Sequence, residues 1–164
     1  MPTITTFLTF NDQAEEAVEF YTSIFENSRI VNTTRYGHNG PGPAGSMMTA
    51  AFELERQPFV ALNGGPSFSF SQGISLLVTC ETQDEIDKYW EKLSAGGETN
   101  VCGWLTDKFG VSWQVAPRIV GELLSDPDPE KSKRVMEAML QMTKIEIEPL
   151  ERAAREPTSA RAQS

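Results

Sequence analysis

The sequence predicts an α+β fold of two β-α-β-β-β modules followed by a helical extension. Three observations carry this prediction. A strand-then-helix pattern occurs twice, 69 residues apart. Each copy is followed by short strand-like runs separated by turn-forming residues. From Pro117 onward the pattern changes to helix formers with a methionine-rich apolar stripe.

The first copy is FLTFNDQAEEAVEFYTSIF (7–25), the second LLVTCETQDEIDKYWEKL (76–93). The offset pairs Leu8 with Leu77, Glu16 with Glu85, Phe20-Tyr21 with Tyr89-Trp90, and Ile24 with Leu93. In the first helix Ala14, Ala17, Val18, Tyr21, Ile24 and Phe25 fall on one face. Asp12 is its expected cap, with Glu15 three residues on. In the second, Ile86, Tyr89, Trp90 and Leu93 form the stripe, Thr82 and Glu85 fit a capping box, and Gly96-Gly97 ends the helix. Strands are expected over 28–36, 47–54 and 58–63, with a hairpin turn at ELERQP, and then over 98–102, 103–107 and 111–116. YGHNGPGPAGS (36–46) reads as a Gly/Pro loop, and NGGPSFSFSQG (63–73) links the halves.

In the extension a helix is expected from about Pro129, with Val135, Met136, Met139, Leu140 and Met142 apolar. A second covers 147–155 with Pro149 in its first turn. The chain thus reads as one domain over 1–155: module one 1–66, module two 70–117 and C-terminal helices 118–155, with a disordered tail at 156–164.

The composition narrows the function classes. With 39% hydrophobic residues in 164, the chain has enough apolar material for a core. It has no run of about 18 apolar residues, and MPTITTFLTFND shows no signal-peptide pattern. A net charge of -9 argues against nucleic acid and anionic membranes, which attract basic surfaces. Cys80 and Cys102 lack a C-x-x-C spacing and read as reduced thiols, which implies a cytoplasmic protein.

DKFGVSWQVAP (107–117) holds the most informative residue. Val111, Trp113 and Val115 alternate with Ser112, Gln114 and Ala116, so an apolar strand carries a glutamine on its second face. Trp113 is expected under a helix. Gln114 either faces a cavity or bonds to a neighbouring strand or a dimer partner.

FNDQAEEAVEFYTSIF (10–25), GPGPAGSMMTAAFEL (40–54), FVALNGGPSFSFSQGISL (59–76), DEIDKYWEKLSAGG (84–97), CGWLTDKFGVSWQVAP (102–117) and DPDPEKSKRVMEAMLQMTKI (126–145) together cover most of residues 4 to 150. They resemble the vicinal oxygen chelate superfamily, which includes the glyoxalases. Within it they resemble the PhnB-like branch, also labelled 3-demethylubiquinone-9 3-methyltransferase. The resemblance implies a mixed sheet curled into a U around a cavity, often in a homodimer. It also implies a metal held by a His on the first strand and a carboxylate on the last strand of each module. Those positions fall here on Thr6 and Ser75, on Gln114, and on Leu62 or Asn63. None is a good ligand for a divalent transition metal, and the single His, His38, lies in a Gly-rich loop. No cofactor is expected. The methyltransferase label finds no support either, because the first strand leads into NDQAEEA with no Gly-rich turn.

The candidate cavity residues are therefore Thr6, Ser75, Gln114, Asn63, Trp104 and Tyr36. Asn63 beside Gly64-Gly65 is equally a turn residue, and the loop after Tyr36 is either a lid or simply mobile. Three readings follow. The first is a metal-independent protein that binds a small molecule, as a homodimer. The second is an enzyme on a small organic substrate, with an unrecognised residue set or an atypical metal. The third is an interaction protein whose cavity is plugged by Phe7, Phe10, Phe68 or Phe70.

Overall fold

The computed structural model describes residues 1–156, so the tail expected at 156–164 lies outside the described residues beyond Glu156. The chain divides into two compact units, Met1–Phe70 and Ser71 to the end.

The first unit runs β1 (Thr6–Phe10), α1 (Ala14–Ile24), β2 (Ser28–Arg35), β3 (Met47–Leu54) and β4 (Gln57–Asn63). The sheet order is β1-β4-β3-β2, with β1 parallel to β4 and the other pairs antiparallel. Residues in register on neighbouring strands share a face. Leu8, Phe10, Ala50, Phe52, Phe59 and Ala61 make up one face and are buried with Ala14, Ala17, Val18 and Tyr21 of α1. Tyr21 stacks on Phe52 at 6.5 Å, and Phe52 on Phe59 at 5.4 Å. Burying each such large apolar side chain stabilises the fold by roughly 1.5–3 kcal/mol.

The start of α1 differs from the expected cap. Gln13 is the N-cap and its side chain makes no capping bond. The Ala14 N–H instead donates to Asn63 Oδ1 at 2.9 Å, from the end of β4. Asn63 Nδ2 donates to the Met47 carbonyl at 3.1 Å. One amide therefore joins α1, β3 and β4, a tertiary solution that displaces the local Asp12/Glu15 pattern.

The second unit contains β5 (Leu76–Cys80), α2 (Gln83–Ser94), β6 (Glu98–Thr99), β7 (Trp104–Thr106) and β8 (Ser112–Pro117), with sheet order β5-β8-β7-β6. Thr82 caps α2 as expected, its hydroxyl accepting from the Glu85 N–H at 3.2 Å. The strand expected over 98–102 is shortened to two residues, and Val101–Gly103 form a 3-10 turn. Its cause is the extension: Cys102 N–H donates to the Met142 carbonyl and Gly103 N–H to the Thr143 carbonyl, each at 2.8 Å. These donors are thus taken before β7 begins.

Beyond β8 come α3 (Ile119–Leu124), α4 (Pro129–Leu140) and α5 (Ile147–Arg155). The last two match the expected helices. The first was not foreseen, since IVGELL is short and has a central glycine. Val135, Ile145 and Leu150 are buried together, with Leu123, Leu124, Met139 and Met142 packed around them. Gln83 ties this cluster to α2: its Nε2 donates to the Ile145 carbonyl at 3.1 Å, and its Oε1 accepts from the Ile147 N–H at 2.8 Å. Lys144 pairs with Asp87 at 2.8 Å, and that bond, with a further one from Gln83, holds the Asp87 carboxyl below its ordinary value.

The internal repeat is uneven. The two helices begin 69 residues apart, at Ala14 and Gln83, but the strands before them begin 70 apart, at Thr6 and Leu76. Three residues join β1 to α1 and two join β5 to α2.

Two substitutions, each paired with a comparison variant, test this packing. Asn63→Ala removes the remote cap and should cost about 1–3 kcal/mol in urea unfolding, whereas Asp12→Ala should cost less than about 1 kcal/mol. Gly103 has φ +80, and a Cβ there would lie 2.6 Å from the Val115 carbonyl and 2.9 Å from Ile145. Gly103→Ala should cost about 2–4 kcal/mol. Gly45, at φ +83 in open space, serves as the control, and Gly45→Ala should cost about 1 kcal/mol.

Candidate functional site

The second unit's candidates lie on the face of its sheet turned away from α2. In the second unit Leu105, Trp113 and Val115 are buried, with Cys80 and Ile86, on the α2 side. The other face holds Gln114, with Leu77 and Trp104 as its register partners, and Ser112, with Thr106 as its partner. Trp113 thus lies under a helix, as its alternation with Gln114 predicts.

The turn before β8 fixes that alternation. Asp107 is 3% exposed, yet its carboxylate accepts from the Phe109 N–H at 2.9 Å, the Val111 N–H at 3.0 Å and Trp113 Nε1 at 2.8 Å. A buried carboxylate needs such donors. From the sequence alone Asp107 only ends the strand expected over 103–107; its bond to Trp113 depends on the strand's return.

Gln114 Nε2 donates to Ser75 Oγ at 2.9 Å. Gln114 therefore makes the neighbour bond expected of it, to the residue preceding the adjacent strand, from the open face of the sheet. Thr6 does not occupy the matching place in the first unit. Its register partner is Phe59, and it shares the helix face with Leu8 and Phe10. Both parallel ladders have five pairs, Thr6↔Phe59 to Phe10↔Asn63 and Leu76↔Trp113 to Cys80↔Pro117. The strand offset of 70 therefore matches Ser75 to Thr5. The ladders match Gln114 to Val60 rather than to Leu62 or Asn63. The offset of 69 was taken from the helices, and the extra residue between β1 and α1 moves the strand by one.

Asn63 and Tyr36 meet in the first unit. The Tyr36 hydroxyl donates to the Asn63 carbonyl at 2.5 Å. Backbone bonds from Tyr36 N–H to Ser46 and from Gly45 N–H to Tyr36, both 2.9 Å, close the 36–46 loop. The loop wraps the tyrosine so closely that a Cβ at Gly42 would lie 2.5 Å from its ring. Both residues line a cavity of about 330 Å3 with Asp12, Pro43, Ser46 and Gly64. Trp104 borders a separate cavity of about 300 Å3 within the second unit, beside Asn100, Val101, Cys102, Thr106 and Ser112.

These side chains do not suit the metal that the resemblance implies. The second unit offers one hydroxyl and one neutral amide, already bonded to each other. The matching first-unit positions offer a threonine hydroxyl and a valine. Divalent transition metals are held by several His, Cys or carboxylate donors, and among the described residues no three such side chains gather. His38 is exposed in its loop. Cys80 is fully buried, and burial, with Glu85 and Glu81 adding to it, pushes its thiol up to about 11. At neutral pH it is no nucleophile.

Comparison with known proteins follows the same division of the chain. Residues 2–116 match the family described as 3-demethylubiquinone-9 3-methyltransferase. The PhnB protein of Bacillus cereus, which carries the same methyltransferase description, is 43% identical, with a TM-score of 0.66; the match covers 71% of this chain and 99% of that one. A Pseudomonas aeruginosa protein shares the fold at 22% identity and a TM-score of 0.59, over 71% of this chain and 98% of its own. The fosfomycin resistance protein FosX of Listeria monocytogenes does so at 16% identity and a TM-score of 0.57, over 76% and 98%. The comparison with curated proteins gave no match. The family match ends at 116 and β8 at Pro117, so α3, α4 and α5 lie beyond it. The methyltransferase description is a family name: each sheet is mixed, with one parallel pair, and β1 enters α1 through Asn11-Asp12-Gln13 without a glycine. In its repeated sheets and in residues 2–116, the chain belongs to the PhnB-like family described as 3-demethylubiquinone-9 3-methyltransferase.

Proposed function

We propose that the protein binds a small organic molecule without a metal, on the open face of the second unit. The observation that carries this reading is the Gln114–Ser75 pair. A neutral amide and a hydroxyl stand at positions where the resemblance implies metal ligands, the amide on a strand whose other face is closed by Trp113 and Val115. Polar contacts set among apolar walls are what a small-molecule site requires. Trp104 and Leu77, register partners of Gln114, supply those walls. Ser75, Gln114 and Trp104 form the core of the proposed site. Tyr36 and Asn63 border a second place for a ligand, and Thr6 is peripheral.

The enzyme reading has less to draw on. Cys80 faces α2, and the other side chains with displaced ionisation sit in surface ion pairs: Arg29–Glu53, Lys144–Asp87, Arg118–Glu81 and Lys131–Asp126. The plugged-cavity reading is disfavoured by Phe7 and Phe68, which are 57% and 53% exposed. Phe10 and Phe70 instead pack edge to face at 5.1 Å.

A homodimer belongs to the same proposal. Leu77 on the open face and Leu140 on α4 are 58% and 54% exposed, and a second copy would cover such groups. Light scattering on the purified chain should give twice the monomer mass; a monomer at micromolar concentration would refute the dimer. Among the described residues no helix is long and apolar enough to cross a membrane. The two free thiols favour a reducing compartment, hence the cytoplasm.

The binding site is tested by a thermal-shift screen of neutral small molecules on wild type and Gln114→Ala. Hits should stabilise the wild type and lose most of that effect in the variant, while the ligand-free melting temperature moves by less than about 2 °C. Equal stabilisation of both proteins, or a fall of several degrees without ligand, would contradict the assignment.

A further inference from the structure

The cavity beside Trp104 contains a group that the Gln114–Ser75 pair does not use. Ser112 is 3% exposed and lines this cavity. Its side-chain hydroxyl has no hydrogen-bond partner among the described residues and opens on the cavity instead. Among the described residues no side-chain oxygen is both sealed and unpartnered, so the Ser112 hydroxyl is reachable from the cavity and free to bond to a ligand group. The remaining lining narrows the chemistry. Trp104 gives a flat apolar wall, Val101 adds apolar surface, and every lining side chain is uncharged. An ionic ligand would enter with no counter-charge, which is costly. The volume, about 300 Å3, lies at the small end of ligand sites.

We propose that this cavity binds a small, uncharged, planar molecule, with its flat face on Trp104 and one hydroxyl or carbonyl on Ser112 Oγ. This rests on the small-molecule reading above and names the ligand class and its place. Trp104 and Gln114 are register partners, so the ligand lies along the edge of the Gln114–Ser75 pair. The wall is preformed. Asn100 N–H donates to the Trp104 carbonyl, and the Cys102 and Gly103 N–H groups donate to Met142 and Thr143, all at 2.8 Å. The extension beyond the family's shared region therefore positions one side of the site. Preorganisation of this kind lowers the cost of binding.

Cys102, on the cavity wall, supplies the reporter. It is half-buried, whereas Cys80 is sealed under α2. The full chain is titrated with 2-naphthol and with 2-naphthoate, following affinity by calorimetry and iodoacetamide labelling of Cys102 by mass spectrometry. The proposal expects 2-naphthol to bind and to slow Cys102 labelling, and 2-naphthoate to bind at least about tenfold more weakly. Ser112→Ala should weaken 2-naphthol about five-fold at unchanged melting temperature. The proposal is overturned if 2-naphthol fails to bind, if it binds without protecting Cys102, if the carboxylate binds as tightly, or if Ser112→Ala binds like wild type. If neutral molecules from the wider screen bind through Gln114 while 2-naphthol leaves Cys102 unprotected, this site falls and the small-molecule reading stands. If no small molecule binds, both fall.

Discussion

The carboxylate of Asp107 fixes which way each residue of β8 faces. It draws the Phe109 and Val111 N–H groups into the turn and holds the Trp113 indole from below. With Trp113 pinned on the helix side, strand alternation leaves no choice for its neighbours: Ser112 and Gln114 must face the other way. A slip of one residue would bury the glutamine under α2 and expose the tryptophan. The candidate site is thus a consequence of a buried ion-to-indole bond on the opposite side of the sheet. The same logic explains the apolar strand with a glutamine at its centre: one face is core and the other carries the proposed site.

Much of the fold was legible because it depends on local patterns. The T-x-x-E box before α2, the helical spacing of Val135, Met139 and Met142, and the alternation through Trp113 and Gln114 are all written within a few residues. What was not legible depends on distant partners. The cap of α1 comes from Asn63, 49 residues away. The loss of strand at 101–103 comes from carbonyls at Met142 and Thr143. The Thr6 assignment failed for a related reason. A repeat measured on helices carries no information about the length of the loop before them, and one residue there reverses a strand's faces.

The chain joins a shared module pair to an extension of its own. Residues 2–116 account for the family match, yet the extension is not a loose appendage. Gln83, Asp87, Cys102 and Gly103 all bond to residues 139–147. The backbone at Cys102 and Gly103 bonds to this segment where a longer strand was expected. Met136 and Leu140 of α4 are the large hydrophobic side chains of the extension that stay exposed among the described residues.

The proposed site rests on neutral groups, Gln114 and Ser75, standing where the resemblance implies metal ligands. Elemental mass spectrometry of the freshly purified, untagged chain, beside melting curves with and without chelator, tests it most directly. The account predicts far less than one metal per chain and superimposable melting curves. One tightly held divalent metal per chain, with a melting temperature that falls when chelator is added, would contradict it.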